Sequence, residues 1–151
     1  MAARNPIAQA NIPSVKNAHV DIDLSGNGTF AVSTALESQI TEVNVSGGDF
    51  NTTDLPVLDG TVFTSTGDKQ AFEVTVTAVY TDGESPDDLH PLVWAKHGQS
   101  NIGLRWKPKG ATSRSFSLVG VLFRVMPPNL ARNGDILYSF ALRGDISAAE
   151  A

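Results

Sequence analysis

Gln70-Ala-Phe-Glu-Val-Thr-Val-Thr-Ala-Val-Tyr80 decides the fold class of this chain. Phe72, Val74, Val76, Ala78 and Tyr80 fall on one side of an extended backbone, and Glu73, Thr75 and Thr77 fall on the other. Side chains of a strand alternate between faces, so this pattern, rich in β-branched residues, predicts a half-buried strand. Neighbouring stretches read the same way. Residues 19–24 put Val20, Ile22 and Leu24 inward and Asp21 and Asp23 outward, then close on the turn Ser25-Gly-Asn-Gly28. Residues 102–107 set Ile102, Leu104 and Trp106 against Arg105 and Lys107, and Pro108-Lys-Gly110 turns the chain.

Residues 115–125 are apolar on both faces, which predicts a central strand covered on both sides. Residues 135–143 form a last alternating strand with Ile136, Tyr138, Phe140 and Leu142 inward. A weaker strand is expected at 39–46, a hairpin-like return at 61–64, and a turn at Gly67-Asp68. Residues 30–33 read as a short return strand or an irregular stretch.

One helix interrupts the strands. Ser85 can cap it, Pro86 suits its first position, and Asp87 and Asp88 complement its positive end. Leu89, Leu92 and Val93 make an apolar stripe, and Gly98 is the expected stop, giving about three turns. Between Gly47 and Gly60 lies a connection of about 14 residues, longer than most loops of compact domains. Its Phe50, Leu55, Val57 and Leu58 are too apolar for a solvated linker, so the loop is expected to pack, within its own subunit or on another. Residues 1–17, small and polar with Pro6 and Pro13, read as a flexible N-terminal arm, and 147–151 as a loose C-terminal tail. The expectation is a single mainly β domain over 18–146, sandwich- or barrel-like, with one short flanking helix and a long inter-strand loop.

Composition bounds the function. At 151 residues and 41% hydrophobic content the chain is the size of one globular domain. Its 11 basic and 16 acidic residues give a net charge of −5, and no basic run stands ready for duplex phosphates. With no cysteine, disulfides and thiolate metal sites are excluded. The first residues lack the apolar core of a signal peptide, and no run reaches the roughly 20 apolar residues of a spanning helix, so no membrane role is expected.

Candidate chemistry is sparse. Asp21-Ile-Asp23-Leu-Ser25-Gly26 opens like a calcium loop, but the twelfth position is Val32 where a bidentate Glu is needed, and the flank alternates like a strand. His90 and His97 could share a helix face, yet zinc spacing is absent, and solvated histidines are the better reading. There is no nucleophile elbow, phosphate loop or dinucleotide fingerprint. Arg143-Gly-Asp145 reads as a strand end followed by a turn. No enzymatic activity and no cofactor or metal are expected.

Taken in order, these features resemble the tail tube (major tail) proteins of long-tailed bacteriophages. The matching elements are a strand ending in Val45-Ser-Gly-Gly-Asp49, the long loop with Asp59-Gly60, and the strand through Phe72 to Tyr80. After these come a short helix reaching Trp94, Ile102-Gly-Leu-Arg-Trp-Lys-Pro-Lys109, and two closing strands joined by a turn. The resemblance covers roughly residues 18–146 and implies six-membered rings that stack into a tube passing DNA, within the virion tail and assembled in the host cytoplasm. Tape-measure and tail-terminator proteins would be its partners. It implies that the long loop reaches the adjacent ring, with Phe50, Leu55, Val57 and Leu58 as candidate contacts. Carboxylates on the non-core faces, with Asp21, Asp23, Glu42 and Glu73 as candidates, would line a lumen through which DNA slides past like charge. A contractile-tail inner tube shares this fold. Alternatives are a tail terminator, a head-decoration subunit, or a monomeric binding module using Trp94 and Trp106 as sugar platforms.

Overall fold

A computed structural model describes residues 18–81, 88–110, 114–130, 134 and 136–149. The strands are β1 (His19–Asp23), β2 (Thr34–Ala35), β3 (Ile40–Gly47), β4 (Phe50–Pro56), β5 (Val62–Lys69), β6 (Phe72–Val79), β7 (Ile102–Lys107), β8 (Ser115–Val125) and β9 (Leu137–Ala149). One helix, α1 (Leu89–Ala95), lies between β6 and β7. Seven strands form one antiparallel sheet in the order β2-β1-β7-β8-β9-β6-β3, and β4 and β5 pair separately as a ribbon.

Alternation dictates where the core sits. Val74, Val76 and Ala78 of β6 face the same way as Phe140 and Leu142 of β9, Leu118 and Leu122 of β8, Ile102 and Leu104 of β7 and Ile22 of β1, and all are buried. Leu89 and Val93 bring α1 onto this face and into the same cluster. The sheet curls around its own apolar side as a half-barrel, the barrel-like mainly β architecture expected from the sequence.

One row across the sheet carries three glycines. Register aligns Gly47, Phe72, Gly144, Gly120 and Ile102 across five adjacent strands. A Cβ on Gly144 would lie 2.7 Å from the Val119 carbonyl oxygen, and one on Gly120 would run into the Arg143 carbonyl. Glycine here permits a backbone approach that a side chain would forbid, and a glycine row of this kind lets a sheet bend. A bulge between Leu122 and Arg124 adds local twist to β8.

Several expectations need correction. The segment from Gly47 to Gly60 is no long loop: it is the turn into β4, then β4 itself and the tip of a hairpin. Gly67 and Asp68 lie inside β5, and the chain reverses at Gln70-Ala71. The helix has seven residues, about two turns, because Asp88 is extended (φ −59, ψ 124) and stands at the N-cap. Pro91 falls in the first turn, where its missing N–H costs nothing. The helix ends at Ala95 with Lys96 at the C-cap, short of the expected stop; Gly98 (φ 84) closes the turn that follows, its N–H donating to the Leu122 carbonyl at 2.7 Å. Ser85 and Pro86, like the 1–17 arm, lie outside the described residues. β9 runs on through Arg143-Gly-Asp145 to Ala149, because β8 is long enough to pair with all of it, so that tripeptide is mid-strand and the start of the 147–151 tail is structured. β8 is central, yet Val119 and Val121 are partly exposed on its second face, so it is covered on one side only.

Asp23 is wholly buried, contrary to its expected outward position. Its carboxylate accepts from the Ser25 N–H at 2.8 Å, the Ser25 hydroxyl and the Phe30 N–H at 2.9 Å. Phe30 adopts φ 58 and its ring covers Gly103, where a Cβ would come within 2.6 Å of the ring. Burial pushes the Asp23 carboxyl up, but hydrogen bonds from Ser25, Phe30 and Thr29 outweigh it and hold the group below its ordinary 3.8.

Two predictions follow from this packing. Gly120→Ala should cost more than about 2 kcal/mol in a denaturant titration, because backbone blocks the new methyl, whereas Gly26→Ala, with open space and only a φ of 89 to strain it, should cost about 1 kcal/mol. A carboxyl with a lowered folded pKa stabilises above its unfolded pKa and loses that contribution as pH falls through the folded value. Wild type should therefore lose stability below pH 3.8 more steeply than Asp23→Asn, measured by melts over pH 2–6.

Candidate functional site

The β4–β5 ribbon is the most unusual part of the molecule. Every residue of both strands is exposed, yet the ribbon carries Phe50, Leu55, Val62 and Phe63, with Val57 and Leu58 at its tip. Leu55 is 63% exposed, Phe63 60% and Leu58 fully so. Leu55 pairs with Phe63 across the ribbon, so the two side chains share one face. The tip is built for a reversal: the Val57 N–H donates to the Thr61 carbonyl at 2.9 Å and the Gly60 N–H to the Val57 carbonyl at 3.0 Å. Gly60 takes φ 91, the left-handed position such three-residue turns require. The Thr61 N–H donates to Asp59 at 2.8 Å and holds that carboxyl below its usual range.

The ribbon is tied down only at its base. Gln70 N–H donates to the Asp49 carbonyl at 2.7 Å, Gln70 Nε2 donates to Asn51 Oδ1 at 2.9 Å, and Lys69 Nζ meets Asp145 of β9 at 3.0 Å. All four candidate contacts, Phe50, Leu55, Val57 and Leu58, are thus brought together on one projecting element. Sequence reasoning missed Val62 and Phe63. Their signal was the alternation of 62–64 opposite 54–56, obscured by reading 47–60 as a loop.

The second surface is the sheet face opposite the core. Register puts Asp21, Glu42 and Glu73 there, together with Arg105, Arg124 and Arg143. Asp21 accepts from Arg105 Nε at 3.1 Å and Nη2 at 2.6 Å, a two-point pair that raises the guanidinium pKa. Glu73 lies 3.7 Å from Arg124. Hydroxyls and amides of Asn44, Ser46, Thr75, Thr77, Ser117, Ser139 and Ser147 fill much of the rest. The face carries charges of both signs, with Val119 and Val121 partly exposed among them, where the sequence had suggested an acidic one. The arginines come from strands distant in sequence, so their pairing could not be read from spacing. Asp23, buried beneath the Ser25–Phe30 turn, presents no carboxylate to it.

Among the described residues the sheet also ends in open edges. β3 is terminal, and the edge of β1 is covered at Asp21 and Ile22 by β2 and at Val20 by the Leu36 N–H, which donates to the Val20 carbonyl at 2.8 Å. Such edges present unpaired backbone groups to any strand that can align with them.

The remaining candidates resolve as structure. Asp21 and Asp23 belong to a strand and its turn, and among the described residues no group of three His, Cys, Asp or Glu could hold a metal. His90 and His97 are pins: their Nε2 atoms lie 3.2 Å from the Met126 and Phe123 carbonyl oxygens, fixing α1 to the end of β8. Trp94 is half-exposed on α1, while Trp106 stacks on Phe116 with centroids 6.1 Å apart against the core.

This geometry has counterparts among solved structures. The sheath–tube complex of an extracellular contractile injection system matches with a TM-score of 0.63 at 12% identity, covering 93% of each chain. The tube-terminating cap of the anti-feeding prophage gives 0.59 at 14% identity, over 100% of this chain and 95% of that one. The tail of a gene transfer agent particle, refined with six-fold symmetry, gives 0.50 at 13% identity over 90% and 96%. The fold is shared with components of phage-tail-like machines. No protein-family model matches, and no curated protein matches.

Leu58 is fully exposed and Leu55 has only its cross-strand neighbour Phe63 beside it on the ribbon, so Leu58→Asp and Leu55→Ser should each change the unfolding free energy of the isolated protein by no more than about 0.5 kcal/mol in a denaturant titration.

Proposed function

We propose that this chain is the structural subunit of a tail-type tube, assembling with its own copies into six-membered rings that stack around a DNA-conducting lumen. The observation that carries this reading is the β4–β5 ribbon. A two-stranded ribbon is at best marginally stable in water by itself, and this one exposes six large apolar side chains. Clustered exposure of that kind is usual where another protein lands. The ribbon supplies a contact that one protomer does not satisfy and a neighbouring ring can.

The open edges supply the other contact. β3 of one copy joining the β1–β2 edge of the next would satisfy both rows of backbone groups and continue the half-barrel into a closed wall. The polar face opposite α1 then becomes the lumen. Its paired Asp21–Arg105 and Glu73–Arg124 groups leave little net field, so DNA would pass with neither strong attraction nor a stack of unshielded carboxylates. Tape-measure and tail-terminator proteins are the partners of such a tube, and the virion tail is its place. The fold it shares with a sheath–tube complex and a six-fold tail supports this reading.

A terminator subunit is the second reading, because a tube-terminating cap and a sheath/tube terminator match over 100% and 98% of this chain. The bare ribbon favours the tube: a subunit that ends a stack needs no further apolar projection on its free side. A sugar-binding module is poorly served, since Trp106 stacks on Phe116 and packs against the core, and Trp94 lies on α1 between His90 and His97, away from Trp106.

Concentrated wild-type protein viewed by negative-stain electron microscopy should show hollow tubes. Leu58→Asp should keep its melting temperature and leave only isolated rings. Uniform rings without tubes from wild type would favour the terminator, and tubes from Leu58→Asp would remove the ribbon from the argument.

A further inference from the structure

The charge on this chain is divided along its length. Residues 18–88 hold 13 acidic residues and one basic, Lys69, whereas residues 89–134 hold seven basic residues and no acidic one. The fold turns this division into two local features. The ribbon and its base carry Asp49, Asp54, Asp59 and Asp68, and their only cation, Lys69, is engaged by Asp145 at 3.0 Å. The end of β7 and its connection to β8 carry Lys107, Lys109 and Arg114 and no carboxylate of their own.

Topology puts both features on one rim. Every pairing in the sheet is antiparallel, and three strands (β6, β9, β8) separate β3 from β7, so β3 and β7 run the same way. The ribbon that follows β3 and the turn that follows β7 therefore leave from the same ends of the strands. They lie at opposite sides of the sheet. β3 is one edge, and β7 is the third strand from the other edge.

We infer that the acidic ribbon base of one copy lies against the basic β7–β8 turn of the laterally adjoining copy, a charge-matched contact that closes the ring. This rests on the proposed edge-to-edge assembly, and it goes beyond the backbone pairing of that seam. A rotation about the ring axis keeps the rim, so the two features of adjoining copies face the same way. From β3 across the seam past β2 and β1 to β7 is three strand spacings, about 14 Å. That gap is one that an extended lysine side chain from one copy and an aspartate side chain from the other bridge between them, and the ribbon, whose seven-residue strand spans about 23 Å, carries its apolar tip beyond the rim. Asp49 and Asp68 at the base are the groups nearest the seam, and Lys107 and Lys109 are the groups they would meet. The tip, with Leu55, Leu58 and Phe63, stays available for the next ring. One element would thus serve two contacts of different chemistry, and the lateral one would be sensitive to salt while the axial one, being apolar, would not.

The test is a charge swap read by sedimentation velocity and electron microscopy at about 50 and 500 mM salt. Ring formation by wild type should need roughly tenfold more protein at the higher salt. Asp49→Lys with Asp68→Lys, or Lys107→Glu with Lys109→Glu, should each abolish rings, and the four changes combined should restore them. The milder pair Lys107→Gln with Lys109→Gln should give an intermediate loss, and a circular dichroism melt establishes that each variant folds. Ring formation unaffected by either reversal, or a combined variant no better than the single-side ones, overturns the contact while leaving the tube reading in place. Wild type that stays monomeric at every concentration overturns the tube reading, and this contact with it.

Discussion

Everything in this molecule depends on how closely β8 and β9 approach at Gly120 and Gly144. These strands form the middle of the sheet, and all the other strands are added to them on either side. Because neither residue has a Cβ, the backbones come together where side chains would hold them apart, and the sheet can bend across that row. The bend lets one sheet enclose its own apolar face. Leu118, Leu122, Phe140 and Leu142 are then covered by the curl and by Leu89 and Val93 of a two-turn helix, with no second sheet needed. A flat sheet would leave that face open and would require a partner layer.

A half-barrel has a consequence that a closed barrel lacks. It keeps two edges, and natural proteins usually blunt exposed edges with short strands, charges or bulges. Here, among the described residues, β1 is partly blunted by the two residues of β2 and by Leu36, while the outer side of β3 is open and β3 runs almost directly into an apolar ribbon. In an isolated protein both features would be aggregation hazards. In the proposed ring they would become the assembly surfaces, so the same geometry that is a defect in the monomer would serve the oligomer. The polar face opposite the core fits this view: its arginine–carboxylate pairs keep it soluble without giving it a strong sign.

Much of the sheet was legible from alternation. β1, β6 and β7 stand where their periodicity put them, because one face is buried and period-2 patterning is then strictly enforced, and β8 stands where its apolar run put it. Where nothing is buried, the pattern failed. The ribbon strands pack against no core, so Gly67 and Asp68 could sit inside β5 although they look like a turn. The length of β9 was hidden for another reason. Residues 144–149 are strand only because β8 runs beside them, and no local propensity records that pairing. The helix was placed correctly but drawn too long at its start, since a strong capping signal at Ser85 and Pro86 competes with an extended Asp88. Of the site, the apolar residues were found because they are conspicuous in a polar stretch. The Asp21–Arg105 pair joins residues 84 positions apart and could only be seen in the fold.

Amide hydrogen exchange with mass spectrometry, comparing the assembled protein with protein kept dilute and monomeric, tests the central claim most directly. The account predicts fast exchange over β3, β4 and β5 in the monomer and strong protection of the same segments after assembly, with the β8–β9 core protected in both. Exchange in β3 and the ribbon that stays fast in the assembled state would contradict it, because neither the open edge nor the apolar ribbon would then be what joins the copies.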